Sequence, residues 1–425
     1  MNAADLAALD GKLLWHPDAS TRTPYPANIV RSASGTRIRL DDGTELVDAV
    51  SSWWCACHGH NHPRIVEAVR RQSEKFTQVM FAGFTHEPAV RLAELLTSEL
   101  PEGLTRVFFS DSGSVSVECA LKMALQYQYA RGERGRVRFG TVRGGYHGDT
   151  VAAMSVSEPG GMHRMFGGIL PRQHFAPRPP IRFDEPWSDD AFAPMEEMLD
   201  RYGSEIAAVI LEPVFQGANA MDFYHPEYLR LLRRATRERG ILLILDEVAT
   251  GFGRTGEFFA LRHAGIVPDI VCVGKGLTGG AVTLAATVAH ETVADTISSA
   301  EPGVFMHGPT FMANALACAA GCASLELFRE YDWAARVRAV ESQLRTELAP
   351  LRQLENVSDV RVLGAIGVVE LRRTPSPREI QSLLLECGVW LRPFGRWLYT
   401  MPPFITPPKE ISAIVSAMRR IASLG

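Results

Sequence analysis

Two apolar segments that each end in an ionisable residue constrain the fold of this chain most strongly. The run 243–245, Leu-Ile-Leu, ends in Asp246 and Glu247, and the run Val273-Gly274 ends in Lys275, 29 positions after Asp246. Short apolar runs of this kind are typical of strands buried on both faces of a parallel sheet. Because sites in such sheets form at the carboxyl ends of the strands, the pattern predicts a carboxylate and an amine that face one crevice.

Strand-like and helix-like segments alternate through the middle of the chain, which predicts an α/β fold with a mostly parallel sheet covered by helices on both faces. The predicted strands are 106–110, 137–142, 206–211, 241–246, 269–274 and 283–289, and the predicted helices include 63–75, 86–99, 114–130 and 225–239.

From about Ser324 the pattern changes. It predicts a long helix through Leu351, strands near 360–371 and 389–401, and a helix near 376–387. A chain of 425 residues is too long for one simple core. We therefore expect a large domain at 60–323 and a smaller α+β domain formed by 1–59 and 324–425.

A lysine and an acidic side chain in one crevice suit pyridoxal 5'-phosphate. The aldehyde of this cofactor needs a lysine amine, and its pyridinium nitrogen needs an acidic partner. Lys275 and Asp246 would supply the two groups. Other interpretations stay open, since Asp246 and Glu247 also fit a metal or nucleotide site, and Gly-Lys-Gly at 274–276 also fits a turn with a solvated lysine.

Three further segments favour the cofactor interpretation. Ser112, Gly113 and Ser114 follow a predicted strand and begin a helix, where free backbone N–H groups and the helix dipole favour a phosphate. An ordinary serine N-cap is the alternative at this position. Tyr146 stands in a glycine-flanked turn and is able to stack on a flat ring. Thr310, in a polar turn before an Ala-rich helix at 313–326, could offer a hydroxyl to the phosphate.

These residues resemble the signature of the class-III, fold-type I, pyridoxal-phosphate-dependent aminotransferases. The resemblance rests on Asp246–Gly256 with Lys275 and runs from about Leu14 to the C-terminus. Within that class the chain most resembles the aminotransferases of biotin biosynthesis. This resemblance implies transfer of an amino group from S-adenosylmethionine to 8-amino-7-oxononanoate. The other matching segments are 15–17, 51–54, 86–88, 111–115, 145–150, 306–312 and 388–393.

The resemblance implies roles for individual residues. Lys275 would bind the cofactor aldehyde, Asp246 would pair with the pyridine nitrogen, and Tyr146 would stack on the ring. Gly113 and Ser114 would hold the phosphate, together with Thr310 of the second subunit of a homodimer. Arg392 would form a bidentate pair with the carboxylate of an oxo-acid acceptor. The remaining candidates are Ser112, His147 and Glu212 for the cofactor, and Trp53, Trp54, Asp18, Gly308 and Tyr399 for the substrates.

The chain departs from the usual residues of that family on the substrate side. Asp18 stands where a tyrosine that touches both substrates is usual, and its negative charge would be tolerated by a cationic donor. Phe215, Asn219 and Ala220 stand where smaller or different residues are expected. A sibling aminotransferase with another donor or oxo-acid therefore stays open, as does a pyridoxal phosphate decarboxylase, aminomutase or racemase that shares Lys275 and Asp246.

Composition points to a small-molecule enzyme. The net charge of −4 gives no electrostatic case for nucleic acid or an anionic membrane as a partner. No apolar run is long enough to cross a bilayer, and the first residues lack the pattern of a secretory signal. The seven cysteines, several of them in apolar patterns, indicate reduced thiols in a cytoplasmic protein.

The alternate histidines His58, His60 and His62 have a spacing that could bring their imidazoles to one metal ion. They stand in a glycine-containing turn before Pro63, which is a typical first residue of a helix. Cys318 and Cys322 share one face of the predicted Ala-rich helix, which favours a packing role, and the chain lacks a second histidine pair. We therefore expect no metal at this turn.

Overall fold

The computed structural model describes residues 2–22, 27–218 and 221–424. These residues form a seven-stranded sheet, a four-stranded sheet, a three-stranded sheet and a short two-stranded ribbon. The strands are β1 (Val30–Ser34), β2 (Arg37–Leu40), β3 (Glu45–Asp48), β4 (Leu104–Ser110), β5 (Arg138–Val142), β6 (His174–Ala176), β7 (Ile206–Leu211), β8 (Phe215–Gln216), β9 (Asp222–Phe223), β10 (Leu242–Asp246), β11 (Ile270–Val273), β12 (Ala285–His290), β13 (Val357–Leu363), β14 (Ile366–Leu371), β15 (Val389–Trp390) and β16 (Trp397–Thr400).

Helices cover these sheets, and short 3₁₀ turns join several of the elements. The helices are α1 (Ala3–Leu13), α2 (Ser51–Trp54), α3 (Pro63–Ser73), α4 (Glu87–Thr97), α5 (Gly113–Ala130), α6 (Val151–Ser155), α7 (Ala193–Tyr202), α8 (Glu227–Glu238), α9 (Glu291–Ser298), α10 (Ala315–Glu330), α11 (Trp333–Leu348), α12 (Pro377–Cys387) and α13 (Pro408–Ala422). The 3₁₀ turns are Arg164–Phe166, Asp189–Ala191, Ala260–His263, Lys275–Thr278 and Ala349–Gln353.

The large sheet has the strand order β4-β12-β11-β10-β7-β5-β6. Only β12 runs antiparallel to its neighbours in this sheet, so the predicted α/β fold with a mostly parallel sheet is confirmed. Strands β10 and β11 lie side by side, with Asp246 opposite Cys272. The residues that follow the two strands therefore leave the sheet at the same edge.

The core strands are buried on both faces, as their apolar runs predicted. Leu243 and Leu245 of β10 pack with α8 on one face, while Leu242 and Ile244 pack with α5 on the other. Burial of each such side chain contributes about 1.5–3 kcal/mol. This packing provides a rigid support for the side chains at the end of the sheet.

The four-stranded sheet joins the two ends of the chain. Strand β15 pairs with β3 in parallel, and the N–H of Ala49 donates to the carbonyl oxygen of Trp390 over 3.0 Å. The residues after β3 include α2 with Trp53, and the residues after β15 include Arg392. The pairing therefore brings Trp53 and Arg392 together from opposite ends of the sequence.

The prediction of one long helix from about Ser324 through Leu351 was wrong. Helix α10 begins earlier and ends at Glu330, Tyr331 is extended, and a new helix begins at Trp333. The break has a local cause, because the carboxylate of Asp332 accepts from the N–H of Ala335 over 2.8 Å and caps the second helix. The division into domains at 59/60 and 323/324 stays a prediction, and residue 324 lies within α10.

None of the described helices combines the length and the apolar character needed to span a membrane. The seven cysteines are free thiols, and Cys57, Cys119, Cys272 and Cys318 are buried.

Candidate active site

Lys275 lies directly after β11, at the end of the large sheet. Its backbone has a φ of +43°, a left-handed conformation that is unusual for a residue with a side chain. The Nζ atom lies 4.6 Å from the centroid of the Trp54 ring. Burial lowers the pKa of the Lys275 amine, and the nearby carboxylates of Asp246 and Glu212 oppose this effect. A lysine with a lowered pKa has a larger fraction of neutral, nucleophilic amine.

Asp246 is the last residue of β10 and is only 4 % exposed. His147 Nδ1 lies 2.8 Å from its Oδ2 atom, and the N–H of Val248 donates to its Oδ1 atom over 3.1 Å. The backbone N–H of His147 in turn donates to Ser157 Oγ over 2.9 Å. These contacts orient a buried carboxylate in the crevice that also holds Lys275.

Glu212 follows β7 and supplies a second buried carboxylate. Its two oxygens accept from the backbone N–H groups of Tyr146, over 3.0 Å, and Gly217, over 2.9 Å. Burial raises the pKa of Glu212 to about 7, and the charge of Asp246 acts in the same direction. Glu212 thus ties the turn that carries Tyr146 and His147 to the end of β7.

The phenol of Tyr146 belongs to a polar chain that sequence reasoning missed. Its hydroxyl donates to Asp149 Oδ2 over 2.9 Å, and His163 Nε2 lies 2.9 Å from Asp149 Oδ1. The rings of Tyr146 and His163 are stacked at 5.8 Å. The hydrogen bond with His163 is the largest influence on the pKa of Asp149, which is lowered. The spacing of Tyr146 and Asp149 in one turn was a usable signal, whereas nothing in the sequence pointed to His163.

The N-terminus of α5 forms a cradle for an anion. Ser112 caps this helix, with its Oγ accepting from the N–H of Val115 over 3.3 Å. The N–H groups of Gly113 and Ser114 belong to the first turn, where no carbonyl of the helix can accept from them. A Cβ atom at Gly113 would come within 2.8 Å of Val248 Cγ1, so this close approach requires glycine. Together these groups favour a bound phosphate.

Ser114 also connects the cradle to the Tyr146 turn. Its Oγ accepts from the N–H of Asp149 over 3.1 Å. Gly148, with a φ of +118°, allows this contact, because a Cβ atom there would lie 2.1 Å from Ser114 Oγ. The turn and the helix start are therefore held as one unit.

Aromatic side chains form a wall beside Lys275. The indole N–H of Trp54 donates to the hydroxyl of Tyr399 over 3.4 Å, and the two rings meet edge to face at 6.0 Å. The ring of Phe215, a departure from the family pattern, contacts Trp54 at 6.4 Å. Burial raises the pKa of Tyr399 to about 12. Asn219 and Ala220, the other departures in this segment, lie outside the described residues.

Trp53, Arg392 and Asp18 form a second group at the mouth of the crevice. The guanidinium carbon of Arg392 lies 4.9 Å from the centroid of the Trp53 ring. Arg392 Nη2 lies 3.6 Å from Asp18 Oδ2. Trp53 and Asp18, two of the predicted substrate residues, thus both contact a third, Arg392.

Thr310 and Gly308 are placed elsewhere. Both are exposed on the loop between α9 and α10. The carbonyl of Thr310 accepts from Gln78 Nε2 over 3.2 Å, and the neighbouring Met306 carbonyl accepts from Lys122 Nζ over 2.6 Å. The contacts described for this loop do not include Lys275 or Asp246 of the same chain.

The assembled groups fit pyridoxal phosphate in chemical terms. A lysine with a lowered pKa matches the aldehyde, a buried carboxylate matches the ring nitrogen, and the start of α5 matches the phosphate.

Comparison with known proteins supports the same conclusion. The sequence profile of the family "Aminotransferase class-III" matches residues 19–422. The chain is a class-III aminotransferase.

Several relatives resemble this class-III aminotransferase over their full length. The adenosylmethionine-8-amino-7-oxononanoate aminotransferase of Mycobacterium leprae is 49 % identical, with 99 % of this chain and 97 % of that protein covered. The enzyme of the same name from Buchnera aphidicola subsp. Acyrthosiphon pisum is 45 % identical, with 96 % of each chain covered.

Solved structures show the same fold. That of an adenosylmethionine-8-amino-7-oxononanoate aminotransferase from Methanocaldococcus jannaschii is 33 % identical and superposes with a TM-score of 0.92, over 100 % of this chain and 99 % of that one. An amine transaminase from an uncultivated Pseudomonas species, solved in its PLP-bound form, is also 33 % identical, with a TM-score of 0.88 over 97 % and 98 % of the chains. The predicted fold class is therefore confirmed.

Two charged residues of the family motif have structural roles in this class-III aminotransferase. Glu247 is fully buried and accepts from the N–H groups of Ala260, over 3.0 Å, and Leu261, over 2.7 Å. Arg254 is 2 % exposed and donates to the carbonyl oxygen of Pro402 over 2.8 Å. Glu247 is thus used within the protein, which leaves Asp246 as the carboxylate of this adjacent pair that faces the crevice.

The three histidines of the 58–62 turn have separate partners. His58 Nδ1 lies 2.8 Å from the Tyr331 hydroxyl, and burial lowers the pKa of His58 to about 3. His60 Nε2 lies 2.8 Å from Asp48 Oδ2, and His62 caps α3 through the N–H of Arg64. These contacts give each imidazole a role in packing.

Proposed function

We propose that this class-III aminotransferase transfers an amino group from S-adenosylmethionine to 8-amino-7-oxononanoate, giving 7,8-diaminononanoate in biotin biosynthesis. The observation that carries the proposal is the crevice in which the Lys275 amine lies beside the buried Asp246 carboxylate. The choice of substrates is supported by the names of relatives that are 45–49 % identical over nearly the whole chain.

Pyridoxal phosphate, when bound, supplies an aldehyde that takes up the amino group and a ring that accepts the electron pair of the broken Cα–H bond. Lys275 would hold the cofactor and, once released, move the proton from the substrate Cα at its Nζ atom. Burial lowers the pKa of this amine, which increases the fraction of neutral amine available to accept the proton.

Other residues would hold the cofactor. Asp246, oriented by His147, would pair with the ring nitrogen and keep it positively charged. Gly113 and Ser114 would donate N–H groups to the phosphate. Tyr146 would lie against the ring, where Asp149 fixes the direction of its hydroxyl. Ser112 and Glu212 would support these groups through the helix start and the Tyr146 turn.

The substrates would bind on the side of Trp53 and Trp54. Arg392 would pair with the carboxylate of the acceptor, since its guanidinium is planar and reaches the mouth of the crevice over Trp53. Tyr399, hydrogen-bonded to Trp54, would fix the inner wall. Asp18 would lie at the entrance, and Gly308 would reach it from the second subunit of a homodimer.

We also propose a homodimer in which Thr310 of one subunit reaches the phosphate site of the other. The proposal is supported by large apolar side chains that are more than half exposed on two segments, Met80 and Phe84 on one, and Met306 and Phe311 on the other. Gln78 joins the segments through its bond to Thr310. Large apolar side chains exposed together on adjoining segments typically mark an interface. The free thiols support a cytoplasmic location.

A stopped-flow absorbance experiment tests the proposed reaction. The holoenzyme is mixed separately with S-adenosylmethionine, lysine and glutamate, and the conversion of the cofactor to its aminated form is followed. 8-Amino-7-oxononanoate is then added. We expect conversion by S-adenosylmethionine and restoration of the original spectrum by the acceptor.

Other outcomes would change the assignment. Conversion without restoration would point to a sibling aminotransferase with a different oxo-acid, for which the departures at Asp18 and Phe215 provide a structural reason. Conversion by lysine alone, followed by restoration with 8-amino-7-oxononanoate, would keep the proposed acceptor and make lysine the donor. The absence of conversion by all three donors would contradict the proposal and redirect the search to other amines or to other bond cleavages.

A further inference from the structure

Asp18 and Arg392 form an ion pair at the mouth of the crevice. Arg392 Nη2 lies 3.6 Å from Asp18 Oδ2, and the same nitrogen donates to the carbonyl oxygen of Pro17 over 3.2 Å. The two side chains are 63 % and 39 % exposed, so either can be reached by a ligand from solvent. Arg392, the group suited to a substrate carboxylate, is therefore already occupied by a carboxylate of the protein.

The turn that carries Asp18 is held in place by its own contacts. The indole N–H of Trp15 donates to the carbonyl oxygen of Ala19 over 2.9 Å, and the N–H of Ala19 donates to that of His16 over 3.3 Å. Asp18 has a φ of +53°, which aspartate tolerates better than most residues. The position of the carboxylate thus follows from a defined turn.

Asp18 also acts on the cofactor side of the crevice. Burial is the main cause that raises the pKa of Tyr146, and the negative charges of Asp149 and Asp18 add to it. The Asp18 carboxylate is therefore close enough to influence both the Tyr146 phenol and the Arg392 guanidinium. A group in this position senses charge on a molecule that enters the site.

We propose that Asp18 and Arg392 form an exchangeable ion pair that selects substrates by charge. A substrate carboxylate displaces Asp18 from Arg392, and a positively charged group on a donor displaces Arg392 from Asp18. Asp18 thus weakens the binding of anions and strengthens the binding of cations at the same site. This inference rests on the proposed function for the identity of the two substrates.

A double-mutant cycle with nonanoate tests the anion half of the proposal. Nonanoate has the chain length and carboxylate of the proposed acceptor but no amine or ketone, so its binding to the holoenzyme requires no reaction. Asp18→Asn keeps the side-chain shape and removes the charge. By titration calorimetry we expect this change to tighten nonanoate binding about two- to five-fold, the range for an exposed ion pair.

Two controls separate the ion pair from loosening of the segment. In the Arg392→Ala background, Asp18→Asn should change the affinity for nonanoate by less than about two-fold. The guanidinium for which Asp18 and nonanoate compete is absent in that background. Asp10→Asn removes a carboxylate that pairs with His16 in the same N-terminal segment and should leave the affinity unchanged. Equal affinities for wild type and Asp18→Asn, or an equal gain in Asp10→Asn, would overturn the proposal.

A pair of donors tests the cation half. S-Adenosylmethionine and S-adenosylhomocysteine share the amino-acid and adenosyl groups, and only the first carries the S-methyl group and the positive charge on sulfur. Their apparent dissociation constants are measured with the holoenzyme and with Asp18→Asn. We expect the preference for the sulfonium compound to fall about two- to five-fold in the variant, and an unchanged preference would remove Asp18 as a charge sensor.

Failure of the proposed function has a different signature. If neither donor converts the cofactor, the proposed reaction is wrong, yet the nonanoate cycle still reports on the ion pair. If both substrates react and the cycle shows no coupling, the reaction stands and the ion pair has no role in selection.

Discussion

At the scale of single residues, the position of Lys275 explains its chemistry. Its carbon chain enters a crevice lined by Trp54, and burial lowers the pKa of its amine while Asp246 and Glu212 oppose the change. The net effect is a lowered pKa, which increases the fraction of neutral amine that can act as a base.

Lys275→Ala should lower kcat by at least about 10²–10⁴-fold, the usual contribution of a positioned acid–base group. The phosphate cradle at α5 does not involve Lys275, so the variant should still bind the cofactor. Single-turnover absorbance measures the loss. Lys409→Ala, an exposed lysine at the start of α13, is the matched control. Normal turnover by Lys275→Ala would contradict the assignment.

Glu247 makes a residue-scale contribution to stability that depends on pH. Burial raises its pKa to about 7, well above the value of about 4.3 in an unfolded chain. Below that lower value the carboxyl is protonated in both states and its contribution is fully present. As pH rises towards 7 the unfolded chain ionises first, so this stability is lost.

Between pH 5 and pH 7.5 the free energy of unfolding should therefore fall more for the wild type than for Glu247→Gln. The expected difference is on the order of 1–3 kcal/mol. Glu212 has a raised pKa as well and is present in both proteins, so the comparison isolates Glu247. Thermal unfolding at matched concentrations measures the difference. Parallel pH profiles for the two proteins would show that Glu247 is ionised in the fold.

At the scale of elements, α2 is the most unusual piece of the structure. Ser51, Ser52, Trp53 and Trp54 have φ values between +45° and +77°, so this turn is left-handed. A left-handed conformation costs about 1–2 kcal/mol for each residue with a side chain. Tertiary contacts must offset this cost, and the turn places Trp53 against Arg392 and Trp54 against Lys275.

Asp48 supplies most of those contacts. Its oxygens accept from the N–H groups of Val50, over 3.0 Å, and Ser52, over 2.7 Å, and one of them lies 2.8 Å from His60 Nε2. Ser51 Oγ donates to the carbonyl oxygen of Met401 over 2.7 Å. The turn is thus fixed to the strands on either side of it.

Asp48→Asn should lower the free energy of unfolding by about 1–3 kcal/mol, because buried bonds to a charged group are weakened. It should also raise KM for the carboxylate acceptor, since Trp53 supports Arg392. Urea unfolding and steady-state kinetics measure the two effects. Asp42→Asn, an exposed aspartate in the same region, is the control and should change neither. A stable variant with normal KM would show that the turn does not depend on Asp48.

At the scale of the whole molecule, the exposed 304–312 loop is the feature that a single chain leaves unexplained. Thr310 lies there with exposed apolar neighbours, and its described bond is to Gln78. The proposed homodimer would bring this loop to the phosphate cradle of the second subunit.

A subunit-mixing experiment tests that arrangement. Thr310→Ala should weaken cofactor binding by about ten-fold or more through loss of a bond to a charged group. The two single variants, Thr310→Ala and Lys275→Ala, are then dissociated into subunits and mixed with each other at limiting cofactor. Activity above the sum of the separate variants is expected, because one site of each mixed dimer has an intact Lys275 and an intact Thr310 from its neighbour. Simple additivity would place the role of Thr310 within its own subunit.

Much of the fold and the centre of the site were predictable from local patterns. The apolar runs before Asp246 and Lys275 are strands buried on both faces, and short runs with this burial are readable from sequence. The helix start at Ser112, Gly113 and Ser114 was predictable because a helix start has its own composition, and its role in binding phosphate stays a prediction. The break between α10 and α11 was missed, because a single capping aspartate outweighed a long helical pattern.

The sequence by itself determined which segments form strands and helices along the chain, and which ionisable residues stand at the ends of β10 and β11. These features follow from interactions between residues that are close in sequence. The motif residues of the sequence also determined the family. Only the tertiary structure decided the His163–Asp149–Tyr146 chain, the left-handed turn at Ser51–Trp54 and the pairing of Asp18 with Arg392. Each of these depends on contacts between distant segments, which compensate for strain or bring charges together in ways that no local pattern records.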